Sequence, residues 1–175
     1  MCGIAGLTQD RPGLLEEMAA RLAHRGPDSS GVWRDTEAKA GFAHRRLAVI
    51  DLSPAAAQPM VSDCGRYVLI HNGEIYNFRE LRLELEAVGE RFKSESDTEV
   101  LLKLLRREGE AALSRLIGMF AFAFWDRRDR SLLIARDRLG IKPLVYAPLS
   151  GGQLAFASEI YALRAHAEVN VSLDF

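Results

Sequence analysis

Cys2, at the extreme N-terminus, is the residue of this chain whose chemistry is hardest to explain by packing. Initiator methionine is usually removed when the following side chain is small, and its removal leaves Cys2 with a thiol and a free α-amine. The thiol can attack a carbonyl carbon, and an amine with a reference pKa of about 8 can accept the thiol proton. The alternative is that Cys2 is a small apolar residue that begins a strand. If Met1 is retained, the amine becomes an amide nitrogen and the catalytic hypothesis fails.

An Asn-Gly-Glu sequence at positions 72–74 offers groups that can stabilise the oxyanion formed by such an attack. The side-chain amide of Asn72 and the backbone N–H of Gly73 can both point at one oxygen. Glycine also lets the backbone approach a substrate closely. Asn-Gly is equally a strong turn signal, so a simple turn after an apolar strand at 67–71 remains an alternative.

Charged residues of both signs could hold a free amino acid, which carries an α-carboxylate and an α-ammonium. Arg45 and Arg46 are adjacent in an extended segment, so their side chains point to opposite faces and only one can enter a site. The pattern alone does not choose between them. Asp97 or Glu74 can supply the negative charge, although Asp97 is just as suitable as a helix N-cap.

Hydrophobic periodicity and capping signals predict the elements that position these residues. The alternation of bulky and small apolar residues at 119–126 predicts a strand covered on both faces. The order of strands, then helices, then strands favours an α+β or layered-sheet fold over a doubly wound one. The predicted strands are 3–7, 31–34, 40–44, 47–52, 67–71, 119–126, 131–136, 144–147 and 153–157, and the predicted helices are 14–23, 77–88, 96–108 and 111–116.

Composition limits the classes of partner. With 175 residues and a formal net charge of −1, the chain fits one domain and has no bulk field that selects nucleic acid or an anionic membrane. No apolar run is long enough to span a bilayer and no signal peptide is evident, so we expect a cytoplasmic protein. The four histidines lack metal-binding spacing, so we expect no metal. Cys64, in a predicted loop, is interpreted as a passive thiol.

Taken together, the motifs resemble the glutaminase domain of the asparagine synthetase family, within the class II amidotransferases and the N-terminal nucleophile hydrolases. Each motif is weak or moderate by itself, but their order and intervals make a chance match very improbable. The resemblance covers nearly the whole chain. Its motifs are Met-Cys-Gly-Ile-Ala-Gly at 1–6, His-Arg-Gly-Pro-Asp at 24–28, His-Arg-Arg-Leu at 44–47, Asn-Gly-Glu-Ile-Tyr-Asn at 72–77, Ser-Asp at 96–97, Gly-Met-Phe-Ala-Phe at 118–122, Arg-Asp-Arg-Leu-Gly-Ile-Lys-Pro-Leu at 136–144 and Phe-Ala-Ser-Glu-Ile at 156–160.

The resemblance implies a four-layer αββα sandwich and hydrolysis of L-glutamine to glutamate and ammonia through a thioester. It implies that Cys2 is the nucleophile and that Asn72 and Gly73 form the oxyanion hole. It also implies that Arg46, the arginine directly before leucine, binds the substrate α-carboxylate. The remaining implied substrate-binding residues are Glu74 and Asp97 around the α-ammonium and Leu47, Val49 and Ile50 along the wall that holds the side-chain amide.

The resemblance further implies a partner domain. Residues 1–165 would form the glutaminase domain, and 166–175 would begin a linker to an absent C-terminal synthetase domain that uses ATP and Mg to amidate aspartate. Ser150-Gly151-Gly152 resembles the start of a pyrophosphate-binding loop but lies between two predicted strands, so we interpret it as a hairpin turn and expect no cofactor in this chain. Other ammonia acceptors, another amide-cleaving hydrolase of the same superfamily, and a catalytically silent module remain alternatives. A homodimer remains an open option.

Overall fold

Segments of alternating or continuous apolar residues form the strands of two antiparallel sheets. A computed structural model of the chain describes residues 1–169, and all bounds below refer to that part. The first sheet has the strand order β2-β3-β1-β9-β8. Its strands are β1 (Gly3–Leu7), β2 (Ser29–Asp35), β3 (Ala40–Arg46), β8 (Val145–Leu149) and β9 (Gln153–Ala157).

The second sheet has the order β4-β5-β6-β7. Its long central strands are β5 (Tyr67–Ile75) and β6 (Gly118–Asp126), with β4 (Met60–Val61) and β7 (Ser131–Arg136) at the edges. The predicted strands at 3–7, 40–44, 119–126, 131–136 and 153–157 are confirmed within one or two residues. The short strand β4 was not predicted, because two residues carry no periodic signal.

Helices cover the outer face of each sheet. α1 (Leu14–Arg21) and α4 (Ile160–Leu163) pack on the first sheet, while α2 (Phe78–Ala87) and α3 (Asp97–Glu108) pack on the second. A third apolar cluster, which includes Ile4, Phe42, Ile70 and Phe156, fills the space between the two sheets. The layers therefore run helix, sheet, sheet, helix, which confirms the expected αββα sandwich.

Both faces of the central strand β6 are apolar because other layers cover the strand on both sides. Phe120, Phe122 and Phe124 point to the helices of the second sheet, whereas Ala121 and Ala123 point to the first sheet. Small side chains on the inner face leave room for the aromatic residues that the first sheet contributes. The predicted double coverage of this strand is confirmed.

The helix starts differ from the expected capping pattern in one case. Ser96 caps α3 as expected, since its hydroxyl oxygen accepts a hydrogen bond from Thr98 N at 3.1 Å. Asn77 precedes α2 but does not cap it. Its side chain instead donates to Arg115 O and accepts from Ile117 N, both at 3.0 Å, because the chain returns beside it thirty-eight residues later. The predicted helix at 111–116 is a 3-10 segment, Gly109–Arg115.

Two predictions about the loops are wrong. The apolar run 47–52 is not a strand, since β3 ends at Arg46 and Leu47 and Ala48 turn their backbone N–H groups to the Cys2 thiol and the Asp28 carboxylate. The alternative of a turn at 72–74 is also wrong. β5 continues through Gly73 to Ile75, because β6 remains paired with it over that length.

The C-terminal part is described only as far as Val169. The Ser150–Gly152 segment joins the antiparallel strands β8 and β9, so its interpretation as a hairpin turn is confirmed. The predicted boundary at residue 165 stays a prediction, and residues 170–175 of the proposed linker lie outside the described residues. No helix in the described part is long and apolar enough to cross a membrane.

Candidate active site

A cavity of about 270 Å³ opens where β1 begins and where β3 and β5 end. These strands and helix α3 bring together predicted site residues that are up to ninety-five positions apart in the chain, from Cys2 to Asp97. All nine residues that the sequence predicted for the site line this one cavity: Cys2, Arg46, Leu47, Val49, Ile50, Asn72, Gly73, Glu74 and Asp97.

The Cys2 thiol is held by the loop that follows β3. Its Sγ donates to Leu47 O at 3.6 Å and accepts from Leu47 N at 3.4 Å. The carbonyl oxygen of Cys2 accepts a hydrogen bond from Arg25 Nε at 2.9 Å, and Glu159 binds the same guanidinium at 2.7 Å. Chain termini are usually mobile, but here Leu47 holds the side chain of Cys2 and Arg25 holds its backbone carbonyl.

The thiol is neutral near pH 7. Burial raises the pKa of Cys2 above its usual value, and the charge of Asp97 adds to that effect. The Leu47 hydrogen bond and the positive charge of Arg46 act in the opposite direction but do not overcome burial. A nucleophilic attack therefore needs a group that removes the proton during the reaction. In the part of the chain that the structure describes, two residues with an amine line this cavity: Met1, through its α-amine, and Lys142, through its side chain.

Asn72 presents an unused hydrogen-bond donor. Its side chain is 1% exposed, and its Nδ2 has no hydrogen-bond partner in the described part of the chain. Buried polar nitrogens are nearly always paired, so an unpaired one in a cavity wall points to a ligand or an intermediate. Gly73 follows it on β5. A Cβ at that position would lie 2.2 Å from Met119 O, so the pairing with β6 permits only glycine.

Of the two adjacent arginines, only Arg46 reaches the cavity. Its guanidinium donates to the carbonyl oxygens of Ser53, at 3.2 Å, and of Asp51. Arg45 points to the other face of β3, where its Nε donates to Gly26 O at 3.2 Å. Only one arginine of the pair therefore faces the cavity, and it is Arg46; its role in binding the substrate stays a prediction.

Two carboxylates, those of Asp97 and Glu74, also line the cavity. Asp97 is 4% exposed, and its Oδ2 accepts a hydrogen bond from Ile75 N at 3.0 Å. Because Ser96 caps α3, the carboxylate of Asp97 is available to join the helix to the end of β5. Glu74 is half-buried on the same strand. The cavity thus holds a cation, Arg46, and two anions, which match the two charges of a free amino acid.

Other cavity residues were not singled out from the sequence. Lys142 is 6% exposed, and Asp137 organises its loop by accepting hydrogen bonds from the backbone N–H groups of Phe120 and Lys142. His71 is buried, and its Nδ1 lies 3.3 Å from the hydroxyl of Thr98. Lys142 was quoted within a motif, but nothing in its pattern marks it as buried. Among residues 1–169, no group of three or more His, Cys, Asp and Glu side chains is arranged to hold a metal ion.

The fold and site define a class that sequence comparison identifies independently. The glutamine amidotransferase domain family matches residues 1–175, and the chain belongs to that family. It is 43% identical over 182 residues to asparagine synthetase [glutamine-hydrolyzing] 1 of Bacillus subtilis (strain 168), a match that covers 99% of this chain and 28% of that protein. It is 41% identical over 171 residues to asparagine synthetase B of Escherichia coli (strain K12), which covers 93% and 30%. The chain thus spans less than a third of the length of these relatives.

A solved structure supports the same assignment. Glutamine phosphoribosylpyrophosphate amidotransferase from B. subtilis, complexed with ADP and GMP, superimposes with a TM-score of 0.78 at 26% identity. The match covers 94% of this chain and 43% of that one. The fold is therefore that of the N-terminal nucleophile amidotransferases, as the sequence motifs indicated.

Proposed function

We propose that this chain, once Met1 is removed, hydrolyses L-glutamine to glutamate and ammonia through a thioester on Cys2. The observation that carries the proposal is one cavity in which a thiol, an unpaired amide donor, a guanidinium and two carboxylates converge. The family membership of the chain gives independent support for this chemistry.

The reaction begins when Cys2 Sγ attacks the side-chain amide carbon of glutamine. The thiol proton moves to the α-amine of Cys2, and the new oxyanion accepts hydrogen bonds from Asn72 Nδ2 and Gly73 N. The carbon–nitrogen bond then breaks as the α-ammonium returns its proton to the leaving nitrogen, which departs as ammonia. Water, deprotonated by the same amine, attacks the thioester, and release of the sulfur regenerates Cys2 and yields glutamate.

The substrate is held by its charges. We propose that Arg46 binds the α-carboxylate and that Asp97 and Glu74 bind the α-ammonium. The wall formed by Leu47, Val49 and Ile50 holds the side-chain amide in reach of the thiol. A peptide substrate would not need both charges matched, so this arrangement favours a free amino acid over another amide.

The fate of the ammonia is a separate proposal. Because the chain matches less than a third of glutamine-hydrolysing asparagine synthetases, we propose that it acts with a C-terminal ATP-dependent synthetase domain of the same polypeptide. Aspartate is the proposed acceptor, and ATP and Mg are assigned to that domain rather than to this one. A cytoplasmic location, a homodimer, the linker at 166–175, and the expectations of no metal, no nucleic acid and no membrane binding stay predictions.

Intact mass and a glutaminase assay test the central proposal together. A processed chain should lack the mass of Met1 and should release glutamate from L-glutamine, and Cys2→Ala should release none.

Two analogues test the charge assignments. 4-Aminobutanamide lacks the α-carboxylate, and Arg46→Met should narrow the difference in kcat/KM between it and glutamine. The second analogue, glutaric acid monoamide, lacks the α-amine. Asp97→Asn should narrow the difference in kcat/KM between this analogue and glutamine. A folded, processed chain without turnover would overturn the proposal.

A further inference from the structure

His44 makes a hydrogen bond between the two sheets beside the candidate active site. It lies on β3 opposite Ile4 of β1, and its Nε2 is 3.1 Å from the carbonyl oxygen of His71 on β5. A carbonyl oxygen only accepts, so Nε2 must carry the hydrogen, and in the neutral ring Nδ1 then carries none. His44 is 1% exposed, and its Nδ1 has no partner within residues 1–169.

The His71 carbonyl is available because β5 extends beyond its edge partner. β4 pairs with β5 only at Leu69 and Val68, so past Leu69 the β4 side of β5 has no paired strand among the described residues, while β6 stays paired on the other side. The backbone N–H of His71 is satisfied by a side chain instead, since it donates to Gln58 Oε1 at 2.6 Å. His44 serves the carbonyl in the same way, from the other sheet.

This bond connects the two halves of the proposed catalytic site. Cys2 precedes β1 in the first sheet, whereas Asn72 and Gly73 lie on β5 in the second sheet. The carbonyl that His44 holds belongs to the peptide unit that leads into Asn72. Most other contact between the sheets is apolar packing, which is non-directional, whereas a hydrogen bond constrains both distance and angle.

We propose that His44 is a positioning residue that fixes the oxyanion donors of β5 relative to the Cys2 thiol; this rests on the proposed function. His44 touches neither substrate nor reacting atoms in this role. Burial lowers its pKa to about 3, so the imidazole is neutral and its donor stays in place at physiological pH. A misplacement of about 1 Å in such a site can reduce turnover about 10²-fold.

The chain offers a matched control at the opposite end of the same interface. Trp125 on β6 donates from its indole Nε1 to Asp35 Oδ2 on β2 at 3.2 Å, which also joins the two sheets. Asp35 pairs with Ala40 at the start of β3, whereas the site lies at the end of β3. Loss of this bond removes a comparable contact between the sheets but leaves β5 near Asn72 unchanged.

The experiment compares His44→Leu, His44→Gln and Trp125→Phe with the parent, all in a Cys64→Ser background and after confirmed removal of Met1. Glutamine hydrolysis gives kcat and KM, iodoacetamide gives the alkylation rate of Cys2, and urea unfolding gives stability. Alkylation needs an accessible thiol but no oxyanion hole, so it separates the two halves of the site. His44→Gln keeps an amide nitrogen near the position of Nε2.

We expect His44→Leu to lower kcat about 10²-fold, with KM and the alkylation rate within about threefold of the parent. His44→Gln should recover most of that loss. Trp125→Phe should lower the urea midpoint but keep kcat within about twofold, because the site end of the interface is unchanged. If His44→Leu does not fold, His44→Asn replaces it, since its shorter amide cannot reach the carbonyl.

The outcomes are distinguishable. A parent chain without turnover overturns the proposed function itself. An active parent with an equally active His44→Leu chain overturns the positioning role. A His44→Leu chain whose alkylation rate falls in parallel with kcat also overturns it, because the defect then lies in the nucleophile or the fold. If Trp125→Phe lowers kcat as much as His44→Leu does, any weakening of the sheet interface reduces turnover. That result would also overturn the positioning role of His44.

Discussion

Replacing Asn72 by alanine should separate catalysis from stability. The side chain is 1% exposed and its Nδ2 is unpaired, so in the resting protein it contributes a buried donor without a partner. Such a group costs about 1–3 kcal/mol, which offsets much of the packing lost on truncation. In the transition state the same donor is expected to be used, and losing one oxyanion donor costs about 2.7–4 kcal/mol. Asn72→Ala should therefore lower kcat about 10²–10³-fold, while the free energy of unfolding changes by less than about 1 kcal/mol.

Asn77 provides a control of the same residue type. Its amide nitrogen and oxygen are both paired at 3.0 Å, with Arg115 O and Ile117 N. Truncation leaves these two backbone groups without their partner. Asn77→Ala should therefore lower the free energy of unfolding by about 1–3 kcal/mol, and kcat should stay within about twofold of the parent.

The assay measures glutamate release at saturating glutamine on the processed chain, with urea unfolding on the same preparations. A near-neutral kcat for Asn72→Ala would refute its assignment as an oxyanion donor. A loss of stability of more than about 2 kcal/mol would instead show that the amide has a structural partner in solution. A rise in KM with unchanged kcat would place Asn72 in ground-state binding.

Three further predictions follow from buried or strained positions. Gly73→Ala would put a Cβ 2.2 Å from Met119 O. It should therefore lower the free energy of unfolding by about 1–3 kcal/mol, measured by urea unfolding, and lower kcat about 10²-fold in the glutaminase assay. An active, stable variant would contradict the requirement for glycine. The pKa of His44 drops from 6.5 to about 3 on folding, so the unfolded chain binds a proton that the folded chain does not. Stability should therefore fall between pH 6.5 and pH 5, by about 2 kcal/mol from this residue, and His44→Gln should show a correspondingly shallower slope. In the chain that retains Met1, iodoacetamide at pH 7 should modify Cys64 before Cys2, because a hydrogen bond from Ser62 lowers the pKa of the exposed Cys64 whereas burial raises that of Cys2. Peptide mapping by mass spectrometry measures the order, and faster modification of Cys2 would contradict it.

The layered fold was predictable because its strands carry a period-two signal strong enough to read locally. The alternation of Phe and Ala at 119–126 placed β6 between two layers correctly. The run 47–52 failed for a physical reason. It is apolar because it lines a cavity, not because it pairs with a strand, and sequence periodicity does not distinguish these two uses. The alternative of a turn at Asn72-Gly73, and with it the strand end predicted at residue 71, was wrong for the opposite reason, since long-range pairing with β6 overrides a local turn signal.

The candidate site was predictable where chemistry is tied to residue type and order. The Cys2 thiol, the Asn72 and Gly73 donors, one arginine of an adjacent pair and the carboxylates of Glu74 and Asp97 could be proposed from the residues. The resemblance then chose Arg46 and added Leu47, Val49 and Ile50. Lys142 and His71 were not found, because their burial depends on tertiary contacts. Lys142 reaches the cavity because Asp137 organises its loop. His71 reaches the cavity because β5 extends beyond the two residues that pair with β4. Neither arrangement has a local sequence signal.

An N-terminal nucleophile poses a conflict that this fold resolves. The proposed reaction requires a free α-amine, hence a chain end, but it also requires fixed geometry, which chain ends usually lack. Here residues Gly3–Leu7 form the central strand of the first sheet, paired with β3 on one side and β9 on the other, and all five are buried. Only Met1 and Cys2 project beyond that anchor. Since Met1 itself lines the cavity, its removal in the proposed mechanism would both create the α-amine of Cys2 and clear space beside the thiol, so one processing step would prepare the base and open the site.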